Sequence, residues 1–280
     1  MAQPKSLKIS VLVTTHERPT YLRKVLAGYL DQTRPPDEII VADDGSGKPT
    51  AEVVNEFTRR ASFPVLHVWQ EHTQVVRLSH LRNLATRAAK GDYIIYTDGD
   101  CVPTRYFVAD HERLARPGWF TQGKRMWIKE GILQDFTGRE KFLHMLYHAA
   151  RRKLSKPYYL IHRPGRFLEK FTTEGVRGCN MAFFRDTIEQ VNGHNQDFVG
   201  FWRQDSEFAL RVMRSGVRRQ DALFSAMLFH LEHEKQLVIA DLERNSRLLA
   251  KARTGPIYTP NGLLSTQLGN PTDWSVRKAA

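Results

Sequence analysis

The sequence predicts an α/β protein built on one mostly parallel sheet with helices on both faces. Strand and helix signals alternate through the first 115 residues. The strand segments are short, apolar and β-branched, while the helical segments carry an apolar stripe with the 3.6-residue period. Parallel sheets of this kind bind ligands beyond the carboxyl ends of their strands, so functional residues are expected there.

Each predicted element of this first half has its own signal. The strands are expected at residues 7–13, 38–42, 64–69 and 93–96. The first helix carries Leu22, Val25, Leu26, Tyr29 and Leu30 at helical spacing and ends before Pro35 and Pro36. Thr50 and Ser79 are predicted to cap the next two helices, and Gly91 to stop the latter.

The second half is less regular between residues 119 and 171. A helix is predicted near residues 139–154, a strand at 180–184 and a helix at 204–214, while the tail beyond residue 254 has no clear period. We therefore divide the chain into four parts: a ligand-binding α/β half (1–116), a basic aromatic insertion (117–175), a catalytic half of the same domain (176–254) and a C-terminal tail (255–280).

Length and composition are those of a globular protein with a sizeable core, since 41% of the 280 residues are hydrophobic. No stretch approaches the roughly 18 uninterrupted apolar residues of a membrane span, and the N-terminus lacks a signal-peptide pattern. Cys101 and Cys179 lie far apart along the chain. They argue against a disulfide scaffold and favour a cytoplasmic location.

The net charge of +12 is concentrated in one segment. Residues 139–172 hold nine basic and two acidic side chains, whereas residues 1–100 are nearly neutral. Such a segment either attracts an anionic partner or is a solvated basic face. Aromatic residues interleave with the charges, so we expect residues 139–170 to meet an anionic membrane surface, with the protein peripheral at the inner face of that membrane.

Two acidic clusters follow predicted strands. Asp43 and Asp44 end the second strand, and Asp98 and Asp100 flank Gly99 after the fourth. Carboxylates at such a point can turn toward one divalent cation, for which Mg²⁺ and Mn²⁺ are the suitable candidates. The triplet also occurs as ordinary turn chemistry, and its place after a buried strand favours the metal.

Two further groups of residues lie in the second half. Asp205 and Glu207 open the helix at 204–214; Glu207 is typical of first-turn capping, whereas Asp205 beside Trp202 is suited to accept a sugar hydroxyl proton. His230 and His233 are three residues apart and can share one metal ion, with Mn²⁺ favoured in a mixed nitrogen and oxygen site.

These residues carry a resemblance to a known family. Segments 10–15, 41–46, 82–85, 91–94 and 98–100 resemble, in order and spacing, the inverting family 2 glycosyltransferases of the GT-A fold. Segments 178–182, 202–205 and 230–235 are similar to the galactosyltransferase-type C-terminal region, which occurs in β-1,4-galactosyltransferases and bacterial chondroitin-type polymerases.

The resemblance implies a set of roles. Thr14, Thr15, His16 and Glu17 would form the loop over the nucleotide, Asp44 would contact the uracil with Arg82 nearby, and Asp98 would face the ribose or sugar. Asp100, His233 and His230 would bind Mn²⁺ or Mg²⁺, Asp205 would be the base, and Trp202 and Gln204 would meet the acceptor. Gln204 departs from the family, which usually has glutamate there.

The predicted function is transfer of a sugar from a UDP-sugar to a glycan or glycolipid acceptor, in cell-surface polysaccharide or lipopolysaccharide synthesis. Two alternatives are a nucleotide-sugar-binding protein without turnover and a basic nucleic-acid-binding protein. The charge lies outside the motif-rich half, so no nucleic acid is expected. A dinucleotide oxidoreductase is disfavoured because no Gly-x-Gly-x-x-Gly follows the first strand.

Overall fold

The structure is a computed structural model that describes residues 6–233 and 238–266. Its strands are β1 (Ile9–Thr15), β2 (Glu38–Asp44), β3 (Val65–Gln70), β4 (Tyr93–Asp98), β5 (Cys101–Pro103), β6 (Trp119–Gln122), β7 (Lys124–Ile128), β8 (Phe167–Lys170), β9 (Asn180–Phe184), β10 (Arg218–Ala222) and β11 (Met227–Leu231). Its α-helices are α1 (Pro19–Leu30), α2 (Lys48–Arg60), α3 (Leu78–Ala88), α4 (Phe107–Leu114), α5 (Phe142–Ala150), α6 (Arg185–Gln190), α7 (Gln204–Arg214) and α8 (Ile239–Ala252).

The strands form two sheets. The larger has eight strands in the order β3-β2-β1-β4-β9-β6-β10-β8, and the smaller has three in the order β5-β11-β7. Strands β1 to β4 run parallel, whereas β9 is antiparallel to both of its neighbours. The predicted α/β class is therefore confirmed, and the antiparallel strand brings the second half of the chain beside β4.

Alternate residues of the central strands enter two cores on opposite faces of the large sheet. Val11 and Val13 of β1 pack with α1, α2 and the small sheet, whereas Leu12 packs with α3, α6 and α7. This period-two pattern is that of strands covered on both faces. It explains why the strand segments are almost continuously apolar and therefore easy to predict.

The helix bounds differ from prediction mainly at their first turns. Strand β9 and helix α7 have the predicted bounds. The predicted caps are wrong, because Thr50 and Ser79 lie buried inside α2 and α3, whose N-caps are Gly47 and Arg77 without a side-chain cap bond. Pro49 sits in the first turn of α2, where its missing N–H costs nothing, so the helix begins earlier than a threonine cap implies.

Residues 117–175 contribute to both sheets and also carry α5. Strands β6 and β8 join the large sheet, β7 joins the small one, and α5 is shorter than the predicted 139–154 helix. Within the described residues, no helix has the length and apolar character needed to cross a membrane. The insertion is therefore partly structural, and its helix is the piece that stands outside the sheets.

Candidate active site

The register of the parallel strands gathers the predicted donor-site residues at one edge of the sheet. Thr15 lies beside Asp43 on β2, and Thr14 lies beside Asp98 on β4. The Thr14 hydroxyl donates to an Asp98 carboxylate oxygen at 2.8 Å. Because all three strands are parallel, their carboxyl ends coincide, and the side chains that close them face one region.

Asp100, His230 and His233 form a compact cluster beside this edge. Their candidate ligand atoms all lie within 4.8 Å of one another. The Nε2 atom of His233 is 2.9 Å from an Asp100 carboxylate oxygen, and that of His230 is 3.7 Å from the other. Strand β11 sets this geometry, since His230 pairs with Cys101 on β5 and the Leu231 N–H donates to the Asp100 carbonyl at 2.9 Å.

The ionisation of the cluster suits a cation. Burial lowers the pKa of His230 to about 4, so its imidazole is neutral at pH 7 and keeps a lone pair for a metal. Burial alone would raise the pKa of Asp100, but the hydrogen bond to His233 and the nearby histidine charges outweigh it and lower that pKa. One anionic oxygen donor and two imidazoles form a donor set that accepts Mn²⁺.

Arg82 joins the two halves of the site. Its guanidinium, on the buried face of α3, makes a close ion pair with Asp205 and lies 3.6 Å from Asp98. The other carboxylate oxygen of Asp205 accepts the Gly178 N–H at 2.8 Å. Asp205 is thus fixed in orientation at the start of α7 while 24% of its side chain remains exposed, which leaves it open to a substrate.

Removal from water raises the pKa of Asp98, against the opposing positive charge of Arg82 and with a smaller contribution from Asp100. Two acidic groups on either side of Gly99 therefore have pKa values shifted in opposite directions. For Asp98 the loss of hydration outweighs the charge of Arg82, whereas for Asp100 the hydrogen bond to His233 and the charges of both histidines outweigh the loss of hydration.

A second cluster surrounds Asp44 at the end of β2. Gln70 is the last residue of β3, and His72 lies two residues beyond it. Both side chains contact the Asp44 carboxylate, the His72 ring nitrogen at 2.8 Å. The His16 ring stacks on that of His72 with centroids 4.3 Å apart, and its Nδ1 is 2.7 Å from the Asp44 carbonyl. Glu17, in a left-handed conformation, accepts the Gly47 N–H at 2.7 Å and ties the loop after β1 to the turn before α2.

Of the two predicted acceptor residues, Trp202 lies in the loop before α7 and Gln204 is the first residue of that helix. Trp202 is 41% exposed, whereas Gln204 is buried. Trp202 and Arg203 both have positive φ, which is strained for residues with side chains. The Nδ2 atom of Asn245, buried on α8, lies 3.0 to 3.2 Å from three carbonyls of this loop, those of Val199, Phe201 and Trp202.

Several site residues were not among those predicted. The Arg18 guanidinium lies 3.6 Å from Asp100. Arg18 and His72 both follow predicted strands, so the expectation that functional residues lie beyond strand ends, which indicated the acidic clusters, could also have indicated these two. Asn245 carried no signal, because nothing in a helical residue 40 positions after Asp205 indicates a loop contact. Glu207 is bound to Arg211 at 2.7 Å inside the protein, so it does not face the site.

The two cysteines also meet here. Cys101 and Cys179 are free and buried, and their sulfur atoms and the Asp98 carboxylate lie within 4.8 Å of one another. The Cys101 thiol donates to Asp100 at 3.3 Å. The two cysteines are close in space because β9 pairs antiparallel with β4. Their separation along the chain gave no indication of this proximity.

Solved structures share this architecture. The chain matches S. aureus TarS 1-349 in complex with UDP-GlcNAc with a TM-score of 0.62 and 14% identity, covering 88% of this chain and 66% of that one. It matches GalNAc-T7 with UDP, GalNAc and Mn²⁺ with a TM-score of 0.63 and 14% identity, covering 89% and 48%. The fold is that of a GT-A glycosyltransferase.

The model of glycosyl transferase family 2 matches residues 10–191, and the chain belongs to that family. A second model, described as the N-terminal domain of galactosyltransferase, matches residues 165–234. Both resemblances inferred from the motifs are confirmed. The second match spans Asp205, His230 and His233.

Curated relatives include two bacterial polysaccharide synthases. The chain is 24% identical to the chondroitin synthase of Escherichia coli, over 80% of this chain and 34% of that protein. It is 25% identical to the hyaluronan synthase of Pasteurella multocida, over 74% and 23%. The chain thus spans about a third or less of the length of these relatives.

Proposed function

We propose that this glycosyltransferase is metal-dependent and inverting, and that it moves a sugar from a UDP-sugar to a hydroxyl of a glycan or glycolipid in cell-surface polysaccharide or lipopolysaccharide synthesis. One observation carries the proposal. Arg82 connects Asp98 with Asp205 at the same sheet edge as the cluster of Asp100, His230 and His233. A donor-side carboxylate, a candidate cation site and a candidate base are therefore gathered in one place.

The donor would lie along the ends of β1, β2 and β4. Asp44 would meet the uracil, with the stacked pair of His16 and His72 beside it, and Asp98 would face the ribose or sugar. The structural neighbours solved with UDP and UDP-GlcNAc support a uridine nucleotide. Arg18 points to the same region and would add a positive charge for the diphosphate.

Asp100, His230 and His233 would hold the cation, and Mn²⁺ suits their mixed oxygen and nitrogen donors better than Mg²⁺. When bound, a divalent ion neutralises negative charge on a departing diphosphate. A neighbour solved with Mn²⁺ supports this choice. The neutral state of His230 at pH 7 supports it independently.

Asp205 would act as the general base in a single displacement. Its carboxylate takes the proton of the acceptor hydroxyl, the hydroxyl oxygen bonds to the anomeric carbon, and the bond from that carbon to the diphosphate oxygen breaks. UDP leaves with the bonding electrons, and configuration inverts because attack comes from the opposite face. Arg82 and the Gly178 N–H orient the base, and the exposed ring of Trp202 would pack on a sugar face.

The direct test is UDP release, measured with a panel of UDP-sugars and candidate acceptors in Mn²⁺. Release that requires both donor and acceptor would support the proposal. Thermal stabilisation by UDP-sugar and Mn²⁺ without release would instead assign the chain as a nucleotide-sugar-binding protein, since ligand binding alone raises stability. Product anomeric configuration, read by NMR, tests inversion separately.

Replacement of His233 by alanine is expected to weaken Mn²⁺ binding more than replacement of His230. His233 lies nearer to the Asp100 carboxylate, at 2.9 Å against 3.7 Å, and its side chain is more accessible. Calorimetric titration of each variant with Mn²⁺ in the presence of UDP measures the difference. Equal affinities for both variants and the wild type would exclude the histidines as ligands.

Asn245→Asp is expected to raise the acceptor KM on the order of tenfold while donor affinity is kept. The substitution preserves shape but places a carboxylate against the carbonyls of Val199, Phe201 and Trp202. Asn55→Asp, on α2, is the matched control. A change in melting temperature without a change in the ratio of kcat to acceptor KM would mean that Asn245 is only structural.

A further inference from the structure

Helix α5 exposes an apolar face that no described part of the chain covers. Phe142, Leu143, Leu146 and Tyr147 are between 41% and 78% exposed. Residues four apart lie on the same side of a helix, so these four form one stripe. Met145 points inward and packs in the core, which fixes the orientation of the helix with the stripe outward.

The stripe continues beyond the helix. The short 3-10 helix Pro157–Leu160 packs beside α5, and Tyr158 and Ile161 are 52% and 47% exposed. A patch of several large apolar side chains on a solvent-exposed protein surface marks an interaction site, whereas single exposed apolar residues do not. The α5 surface, meaning α5 with Tyr158 and Ile161, is therefore expected to have a partner.

Exposed basic residues flank α5 along the chain. Lys141 precedes the helix and Arg151, Arg152 and Lys156 follow it, all exposed. The whole segment 139–172 has seven more basic than acidic residues. A second copy of the chain would bring two such segments together, so like-charge repulsion opposes a dimer through this face.

We propose that the α5 surface docks onto a bilayer containing anionic lipid. The apolar stripe would enter the boundary between headgroups and acyl chains, and the flanking arginines and lysines would remain at the negatively charged headgroups. An anionic bilayer accounts for both features of the surface. The basic residues would bind the anionic headgroups, and the exposed apolar side chains would enter the acyl region, which a purely anionic partner would not explain. The inference concerns binding only and does not depend on the proposed reaction.

The α5 surface is connected to the candidate cation site through β7. Leu154 pairs with Ile128, and the backbone N–H of Trp127 donates to the Ser155 hydroxyl at 2.8 Å. The ring of Trp127 lies 4.0 Å from that of His230, centroid to centroid. The segment that follows α5 thus runs beside β7, the strand whose Trp127 packs against the candidate metal ligand His230.

Vesicle co-sedimentation tests the proposal with the intact chain. The wild type is expected to bind phosphatidylcholine vesicles only when they contain phosphatidylglycerol. The double variant Leu143→Asp/Leu146→Asp is expected to lose roughly tenfold or more in binding, because two exposed leucines no longer enter the apolar layer. Leu264→Asp is the matched control, since Leu264 is 72% exposed and follows Leu263 in the core on the other face of the sheet.

The charge requirement is tested by replacing Arg151, Arg152 and Lys153 with glutamine. Binding of the wild type is expected to fall as salt rises, with screening over about 8 Å at physiological strength, and the triple variant is expected to bind weakly at every salt concentration. Circular dichroism and the thermal shift with UDP and Mn²⁺ report whether each variant is folded.

Three results would overturn the proposal. They are equal binding to neutral and anionic vesicles, no binding to either, and vesicle binding of Leu143→Asp/Leu146→Asp equal to that of the wild type. Sedimentation velocity supplies a fourth: a dimer that the double variant converts to monomer would assign the α5 surface to a second copy of the chain.

Discussion

Asp205→Asn is expected to reduce turnover about a hundredfold or more, the range of a lost general base, while the affinity for UDP-sugar is kept. The amide has nearly the same shape, and its oxygen can still accept from Arg82 or the Gly178 N–H. It cannot take the acceptor proton. Turnover measured as UDP release at saturating donor and acceptor reports the loss.

Asp197→Asn is the matched control for this experiment. Asp197 is an exposed carboxylate near the same loop, held by Asn261 rather than by Arg82. Its variant should turn over like the wild type. Near-normal turnover of Asp205→Asn would remove Asp205 as the base, and Glu207 would not replace it, because Glu207 is buried against Arg211.

Asp100→Ala is expected to abolish metal-dependent UDP binding without unfolding the protein. Its carboxylate is the anionic member of the cluster with His230 and His233, and removing it leaves two imidazoles and no charge for a cation. Calorimetric titration with Mn²⁺ and UDP measures the effect, and thermal denaturation without ligand tests the fold. Unchanged Mn²⁺ affinity would contradict the metal assignment.

A control for side-chain loss is Asp135→Ala, an exposed carboxylate elsewhere on the surface, which should bind Mn²⁺ and UDP like the wild type. Asp100→Asn adds a finer comparison. The amide keeps an oxygen donor but lacks the charge, so its Mn²⁺ affinity should lie between those of the wild type and Asp100→Ala. Equal loss in both variants would mean that charge dominates.

The first half of the fold could be predicted because its signals are local. Residues 39–42 of β2, for example, are all apolar, which is the pattern of a strand covered on both faces. The second half could not be predicted in the same way. Strand β10 carries charged residues that are buried in ion pairs, since Asp221 binds Arg219 of the same strand and Lys124 of β7.

For the candidate site, too, local motifs could be read from the sequence, whereas long-range contacts could not. Motif order placed Asp98, Asp100 and Asp205 in the candidate site, but the contact between Asp205 and Arg82 joins residues 123 positions apart. Neither residue indicates its partner in the sequence. Strained positions such as Trp202 and Arg203 were equally hidden, since local propensity disfavours the conformation that tertiary contacts with Asn245 impose.

The Arg82 contact constrains attempts to exchange parts of this protein with those of its relatives. A chimera that joins residues before β9 to the corresponding second half of another family member would pair two independently selected sequences across this contact. If the incoming half placed no oxygen acceptor opposite Arg82, a buried guanidinium would keep only the more distant Asp98, and such a charge is costly inside a protein. Recombination is therefore expected to succeed where the crossover keeps α3 and α7 from the same parent.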